Sequence, residues 1–320
     1  MSEQLNAVVF GVGALGQHHA RVYANHEKTN LIAVVDLDEK SRTEHAGKWG
    51  CLSAASLDEI SERIDLASVV TPTVSHYKIA AQLIERGIPV LIEKPITMTV
   101  DEGEGLIKLA EEKKVPIQVG HIERFNPAVL ALGDYLDKPL FIESHRLGPP
   151  TPRVKDVGVI LDLMIHDLDL ILSLVESDIK FIDAVGVPIL TPQEDIANAR
   201  IRFNSGCVAN VTVSRVTPER QRKIRFFQRD TYISVDFMKP EIQIYRKIQD
   251  GDGPIKIDHE KPTLCNKEPL VSEIDSFITS MQTGLTPAVT GRDGVRALDL
   301  ASKITDQVDL ISDKVINGGM

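Results

Sequence analysis

One stretch near the N-terminus leaves the chain little choice of fold. Ala7-Val8-Val9-Phe10 is a short β-prone run that ends directly in Gly11-Val12-Gly13-Ala14-Leu15-Gly16, and His18 to His26 then carries a helix-compatible pattern. A strand, G-x-G-x-x-G and a helix, in that order, form the backbone cradle of a dinucleotide pyrophosphate. The motif has meaning only in that context. The context is met, because a second run, Leu31 to Val35, ends in Asp36, 20 residues beyond Gly16. Gly11 permits the tight turn, Gly13 lets backbone N–H groups approach the phosphates, and Gly16 allows close helix–strand packing. With Leu15 these residues form the expected cofactor loop. Asp36 can accept hydrogen bonds from the adenine ribose hydroxyls, its carboxylate would repel a 2′-phosphate, and no arginine follows immediately. NAD is therefore expected in preference to NADP.

The alternation continues. Helices are predicted over Asp38–Gly47, Leu57–Arg63, Ser75–Arg86 and Val100–Lys113, and strands over Leu66–Val70, Val90–Ile92 and Ile117–Val119. Strands separated by helices of this length need crossover connections, so the first half is an α/β Rossmann unit with a doubly wound parallel sheet. Ligands on such sheets bind beyond the carboxyl ends of the strands. Two segments sit at such ends, Thr71-Pro72-Thr73 and Glu93-Lys94-Pro95, which makes Thr71, Pro72 and Glu93 candidate cofactor neighbours. A charged pair followed by proline is also an ordinary strand ending. His76 has two readings, lining the nicotinamide side of the pocket or bonding to backbone at a helix start. His18 and His19 are expected on a helix surface.

After Gly120 the pattern changes. One helix is predicted over Asn126–Tyr135, a strand over Leu140–Arg146, and then a loop at Gly148-Pro149-Pro150-Thr151-Pro152. β-prone segments follow at Phe181–Val187, Ala197–Phe203, Val208–Val216, Lys223–Phe227, Tyr232–Phe237 and Ile242–Tyr245. With little helix between them, they suggest an α+β domain with a large open, mainly antiparallel sheet. The expected division is residues 1–121 for the cofactor and 122–320 for substrate and oligomerisation. An open sheet face is a natural homo-oligomer surface. Leu270–Met281 and Gly294–Ile311 read as amphipathic helices able to cover this sheet or to pack back on the first domain.

Within this half, Asp162 and His166 are spaced i, i+4 and would project from one helix face. A carboxylate beside an imidazole serves as a proton acceptor with an orienting partner, as alcohol oxidation requires. A helix-surface Asp–His pair is the alternative. Asp167 and Asp169 face elsewhere on this reading. Arg146, Arg153 and Lys155 precede this helix and could hold a phosphate, or could form a solvated basic loop. Arg220, Arg222, Lys223, Arg225 and Arg229 read as exposed or intersubunit pairs.

Net charge bounds the partners. At −10 the chain has no basic excess with which to grip nucleic acid. Cys51, Cys207 and Cys265 are far apart, with no Cys/His cluster for a metal and no disulfide framework, which fits a reducing, cytoplasmic setting. The start lacks a signal-like segment, and no run approaches the roughly 20 apolar residues of a membrane span.

Four motifs in order, Val-Val-Phe-Gly-Val-Gly-Ala-Leu-Gly, Thr71-Pro72-Thr73-Val74-Ser75-His76, Glu93-Lys94-Pro95 and Asp162-x-x-x-His166, resemble those of the Gfo/Idh/MocA oxidoreductases. The resemblance covers essentially the whole chain. It implies a Rossmann domain followed by an α+β domain that forms dimers or tetramers through its sheet. It also implies Lys94, Asp162 and His166 as catalytic residues, and a cis peptide before Pro95. Gly120-His121-Ile122-Glu123-Arg124-Phe125-Asn126-Pro127 and the stretch Asp156 to Asp167 resemble, more narrowly, the branch that oxidises C3 of UDP-N-acetylglucosamine and passes the ketone to a PLP-dependent aminotransferase towards lipid A. Arg124, Arg146 and Arg153 are the candidate contacts for such a nucleotide sugar. On this reading the sugar ring lies between nicotinamide and the Asp162/His166 helix face, Lys94 stabilises the alkoxide, and either Lys94 or His166 is the base. An inositol or free-sugar dehydrogenase, and a non-catalytic NAD-sensing regulator, are the alternatives.

Overall fold

The computed structural model describes residues 4–150 and 157–317, with the side chains of 309–317 left aside. Two compact units divide the chain: Met1–Ile122 with Glu268–Val295, and Glu123–Lys267 with Arg296–Met320. The stretch Glu268–Val295 thus belongs to the first unit, although it follows the second in sequence.

The first unit runs β1 (Leu5–Phe10), α1 (Gly16–Asn25), β2 (Thr29–Val35), α2 (Glu39–Trp49), β3 (Leu52–Ala54), β4 (Leu66–Val69), α3 (His76–Glu85), β5 (Val90–Glu93), α4 (Val100–Lys113) and β6 (Ile117–Gly120). The strands form one sheet in the order β3-β2-β1-β4-β5-β6, and every pairing is parallel. β4, β5 and β6 are buried at every position, which is why they read as unbroken apolar runs. The sheet reverses its winding at β1, between β2 and β4, so the carboxyl ends there form the ligand-binding edge. Local signals set the helix ends. Thr99 and Glu102 make a reciprocal capping box on α4, while Asp38 caps α2 and Gly50, at φ 66°, closes it.

Two expectations in this unit are corrected. The short helix over Leu57–Arg63 shrinks to one 3₁₀ turn, Leu57–Glu59, because Asp65 is tied to Asn6 through both its backbone N–H and its carboxylate, which draws the chain out ahead of β4. The edge strand β3, only three residues long, carried no usable periodicity.

The second unit holds α5 (Pro127–Leu130), β7 (Phe141–Leu147), a π-helical turn (Ile160–Met164) leading into α6 (Ile165–Leu174), and β8 (Ile179–Val187), β9 (Ile196–Phe203), β10 (Val208–Ser214), β11 (Gln221–Gln228), β12 (Thr231–Asp236), β13 (Glu241–Ile248) and β14 (Lys256–Glu260). The eight strands order as β14-β13-β12-β11-β7-β10-β9-β8, antiparallel except for the parallel pair β7–β10. Alternation is strict: Ile142, Ser144 and Arg146 of β7 are buried, and the residues between them are half-exposed. The buried face packs on α6 and on Ala297, Leu300, Ala301 and Ile304 of the helix Gly291–Asn317. The other face carries a ladder of rings, Phe141, Phe227, Tyr232, Tyr245 and His259, with centroids 4.3–5.6 Å apart from one strand to the next.

The expected helix Asn126–Tyr135 is one α turn followed by a 3₁₀ turn, Ala131–Asp134, where Gly133 weakens the helical propensity. β14 was not anticipated, because Lys-Ile-Asp-His-Glu is mostly charged and exposed. Finally, α7 (Pro269–Thr283) packs Leu270, Ile274, Phe277 and Ile278 against Ala20 and Tyr23 of α1 in the first unit, and Gly284, at φ 71°, ends it. α8 is the helix Gly291–Asn317.

Candidate active site

The cofactor loop is built from close approaches that only glycine allows. Gly11 has φ 84°, and a Cβ there would lie 2.6 Å from the Val70 carbonyl oxygen. A Cβ on Gly16 would stand 1.8 Å from the Gly11 carbonyl oxygen, so α1 sits directly on the turn. Gly13 differs: no protein atom lies within 4 Å of its Cβ position, so its backbone faces open space, as a phosphate cradle at a helix N-terminus requires. Asp36, at the carboxyl end of β2, accepts from the Val12 N–H at 2.8 Å and from the Asp38 N–H at 3.0 Å. These bonds aim the carboxylate at the loop and leave lone pairs for ribose hydroxyls. The residues present fit a dinucleotide. Arg42, six residues beyond Asp36, donates to the carbonyls of Asp36 and Leu37 rather than standing open to a 2′-phosphate.

At the end of β4 the Ser75 hydroxyl donates to Thr71 Oγ1 at 2.7 Å. His76 is buried, with Nε2 2.8 Å from the Thr71 carbonyl oxygen and Nδ1 2.9 Å from that of Pro95. Its ring braces the β4 turn to the β5 turn, which is the backbone-bonded reading; it does not present a nitrogen to a ligand.

The Glu93-Lys94-Pro95 turn rests on buried charge. Lys94–Pro95 is cis. Glu93 Oε2 accepts the Lys94 backbone N–H at 3.2 Å, and Oε1 meets His19 Nε2 at 3.1 Å. Room for this carboxylate comes from Gly120, whose Cβ would fall 2.8 Å from it. One expectation changes as a result. His19 is fully buried against Glu93, because α1 lies close on the sheet and only His18 faces outward. Glu93 anchors the Lys94 backbone from the interior. A second carboxylate, Glu273 of α7, completes the cluster, with donor atoms of His19, Glu93 and Glu273 within 4.8 Å of one another. Burial first, and the Glu93 charge second, push the Glu273 pKa well above the usual carboxylate range.

In the second unit, Asp162 lies in the π-helical turn and His166 in the first turn of α6. The widened turn replaces the continuous α-helix expected, and such bulges recur at functional sites. Both residues are half-buried, while Asp167 and Asp169 face inward and are almost fully buried. Asp169 takes a two-pronged contact from Arg124, 2.8 and 2.6 Å. Asp167 binds Arg146 Nε at 2.9 Å and the Ser144 hydroxyl at 2.9 Å, and Arg146 also donates to Glu123 at 2.9 Å. Burial opposes the Arg146 charge, but Asp167 and Glu123 outweigh it and hold the guanidinium pKa above its ordinary value. The stretches Glu123–Asn126 and Asp162–Asp169 are thereby joined by ion pairs onto β7.

Arg124 and Arg146, expected at the substrate, are placed by these bonds in ion pairs within the second unit. Their charges are already neutralised by interior carboxylates, so their work is to position α6. Arg153, with Lys155, lies outside the described residues. Asp162 instead opens onto a cavity of about 280 Å³ whose walls include Arg146, Arg215, Arg220 and Arg222. Arg220 and Arg222 are exposed, as the sequence suggests, and they stand at this cavity. A larger cavity of about 780 Å³ in the first unit is lined by Leu5, Asp65, Pro89 and Pro116 at the amino ends of the strands, the wrong end for a ligand of this sheet.

Comparisons with known proteins agree with this architecture. The profile of the Gfo/Idh/MocA oxidoreductase family, NAD-binding Rossmann fold, matches residues 5–121, and the Gfo/Idh/MocA C-terminal domain matches residues 138–234. The chain is 35% identical over 306 residues to a UDP-N-acetylglucosamine 3-dehydrogenase of Acidithiobacillus ferrooxidans, covering 94% of this chain and 96% of the relative. A solved structure of that enzyme superposes with a TM-score of 0.91, covering 96% of this chain and 98% of the other at 35% identity. An inositol 2-dehydrogenase of Rhizobium meliloti is 25% identical, covering 92% of this chain and 93% of the relative.

Proposed function

The chain belongs to the Gfo/Idh/MocA oxidoreductase family, and we propose that it uses NAD to oxidise C3 of UDP-N-acetylglucosamine to the 3-oxo sugar. The observation that carries this reading is similarity at 35% identity along 94% of the chain to a dehydrogenase of that name. Retention of Lys94, Asp162 and His166 supports it.

On this proposal the first unit holds the cofactor and the second recognises the sugar. Gly11 makes the tight turn, with its N–H donated to the Val35 carbonyl, Gly13, Leu15 and Gly16 place backbone at the start of α1 for the pyrophosphate, Asp36 accepts from the adenine ribose, and Thr71 and Pro72 close the loop side. Bound NAD supplies the hydride acceptor. His166 takes the proton of the C3 hydroxyl, and its half-buried place at the start of α6 keeps the ring accessible for that transfer. Lys94 donates a hydrogen bond to the same oxygen and stabilises the charge that develops on it. Asp162 orients the hydroxyl group or the imidazole. NAD is preferred to NADP because a 2′-phosphate would meet the Asp36 carboxylate.

Oxidation of a secondary alcohol by NAD lies uphill, so a reaction that consumes the ketone must follow. Transamination by a PLP enzyme fits that role, and a 2,3-diamino sugar for lipid A would be its product. A homodimer or homotetramer through the ring-bearing face of the eight-stranded sheet, and a cytoplasmic setting, complete the proposal. No helix among the described residues is long and apolar enough to cross a membrane.

The test is NADH formation from UDP-N-acetylglucosamine with hydroxylamine present to trap the ketone, run beside myo-inositol and free N-acetylglucosamine. Turnover with the nucleotide sugar alone is expected. Turnover with inositol and none with the nucleotide sugar would replace this reading by the inositol dehydrogenase one.

A further inference from the structure

We propose that Arg220 and Arg222 form an anion subsite, beside Asp162, for the diphosphate of a nucleotide sugar. The inference rests on the nucleotide-sugar reading above and assigns the charges that would recognise it.

The cavity beside Asp162 concentrates positive charge in a chain whose net charge is −10. Of the four arginines around it, two are already committed. Arg146 is held by Asp167 and Glu123. Arg215 donates through Nε to Asp195 at 2.6 Å, through Nη1 to the Val157 carbonyl at 2.7 Å and through Nη2 to Thr191 at 2.8 Å. Arg220 and Arg222 differ in kind: both are exposed, and among the described residues neither is ion-paired to a carboxylate.

Register makes the arrangement costly for the free protein. β11 pairs with β7 so that Arg222 lies directly opposite Arg146, on the face of the sheet that packs on α6. Like charges directly opposite each other destabilise a strand pair, and here Glu123 and Asp167, the carboxylates that hold Arg146, offset only part of the charge that Arg222 meets from Arg146 and Arg220. Arg222 keeps solvent access along its side chain, but partial burial of the guanidinium first, and the Arg146 charge next, hold its pKa below the ordinary value. A bound anion would relieve both effects. Two accessible guanidinium forks at one cavity suit an anion with several oxygens, and a diphosphate offers them bidentate contacts.

Position ties this charge to the substrate. Asp162 lines the same cavity, so an anion held by Arg220 and Arg222 lies in the recess onto which a proposed catalytic carboxylate opens. In a nucleotide sugar the diphosphate is joined directly to the sugar ring. Anchoring it there would fix the ring near Asp162 through bonds that do not change during oxidation, and such uniform binding lowers KM while leaving kcat little changed.

The experiment is calorimetric titration of the full-length protein with UDP as the probe, at saturating NAD, for wild type, Arg220→Ala, Arg222→Ala, the double variant and Arg222→Lys. Wild type is expected to bind UDP, each alanine to weaken it by about tenfold or more, and Arg222→Lys to retain part of the affinity. NAD affinity should be equal in all five proteins, and the salt dependence of UDP binding should flatten in the double variant. Unchanged UDP affinity in the double variant would overturn the subsite and leave the nucleotide-sugar reading standing. Loss of NAD affinity in parallel with UDP would also overturn it, by assigning the arginines to the cofactor's own diphosphate. Failure of the wild type to bind UDP while binding NAD would remove both the subsite and the reading beneath it.

Discussion

The two units bury charge in opposite ways. In the second, each interior guanidinium has its own carboxylate: Arg124 with Asp169, Arg146 with Asp167, and Arg215 with Asp195. In the first, two carboxylates, Glu93 and Glu273, gather around one imidazole, His19. Glu93 takes the partners, and among the described residues neither oxygen of Glu273 has a hydrogen bond. The difference shows in Asp195. Burial alone would raise its pKa, yet the N–H groups of Ile189, Leu190 and Thr191, together with Arg215, hold it well below the usual carboxylate range. The surplus acid of the first unit, Glu273, is instead pushed up by burial and by the Glu93 charge. One region is a set of paired ions under α6, and the other is a buried acid cluster whose Glu93 accepts the Lys94 backbone N–H.

The largest effect should come from breaking a matched pair. Asp167→Ala leaves Arg146 buried without its main partner and is expected to cost about 3–5 kcal/mol in urea unfolding. Replacing both residues, Arg146→Met with Asp167→Leu, should recover much of that stability. If the single change is nearly neutral, the paired ions do not carry the load assigned to them.

Next come the groups the two regions support. Lys94→Ala and His166→Ala should each lower kcat by on the order of 10² while NAD still binds, measured by steady-state kinetics and cofactor fluorescence. Near-normal turnover in both would detach the two buried regions from chemistry.

The contrast itself is tested by pH. Glu273 has a folded pKa raised above its ordinary 4.5. Its neutral form therefore favours the fold below that value, and the contribution is lost as pH rises from about 4.5 toward the raised folded value, with a slope of up to about 1.4 kcal/mol per pH unit. The groups facing it are His19 and Tyr23 of α1 and Glu93 of β5; burial first pushes the Tyr23 hydroxyl up, so it stays neutral. Thermal unfolding of wild type and Glu273→Gln across pH 4.5 to 8 should differ by this slope. Parallel curves would mean that the Glu273 pKa is not raised in the folded protein.

The smallest expected change is at Asp36. Asp36→Asn should weaken NAD by roughly tenfold at most, because only part of the ribose contact is lost, and should narrow the preference over NADP. Unchanged affinity for both cofactors would show that this carboxylate serves only the Val12 and Asp38 N–H groups.

Much of the first unit was legible because its signals are local. The glycines of residues 11–16, the helical pattern over Val100–Lys113 and the apolar runs of β4 to β6 each state their conformation within a few residues. The second unit was legible in its strands but less so in its charges. Arg124 and Arg146 looked like substrate contacts because an arginine in a motif carries no mark of the carboxylate that claims it. That carboxylate lies 45 residues away for Arg124 and 21 for Arg146. His19 looked like a surface residue for the same reason, since Glu93 is 74 residues distant. The π-helical turn at Ile160–Met164 was hidden because its composition is that of any apolar helix.

By itself the sequence determined the order of elements, the dinucleotide loop and the residues Lys94, Asp162 and His166 as candidates, because turn geometry, periodicity and motif spacing are properties of neighbouring residues. Tertiary structure alone decided which charges are spent and which are available. The energy of a buried ion depends on its depth and on a partner brought to it by folding, and the same packing that neutralised Arg124 and Arg146 left Arg220 and Arg222 at the rim of a cavity beside Asp162.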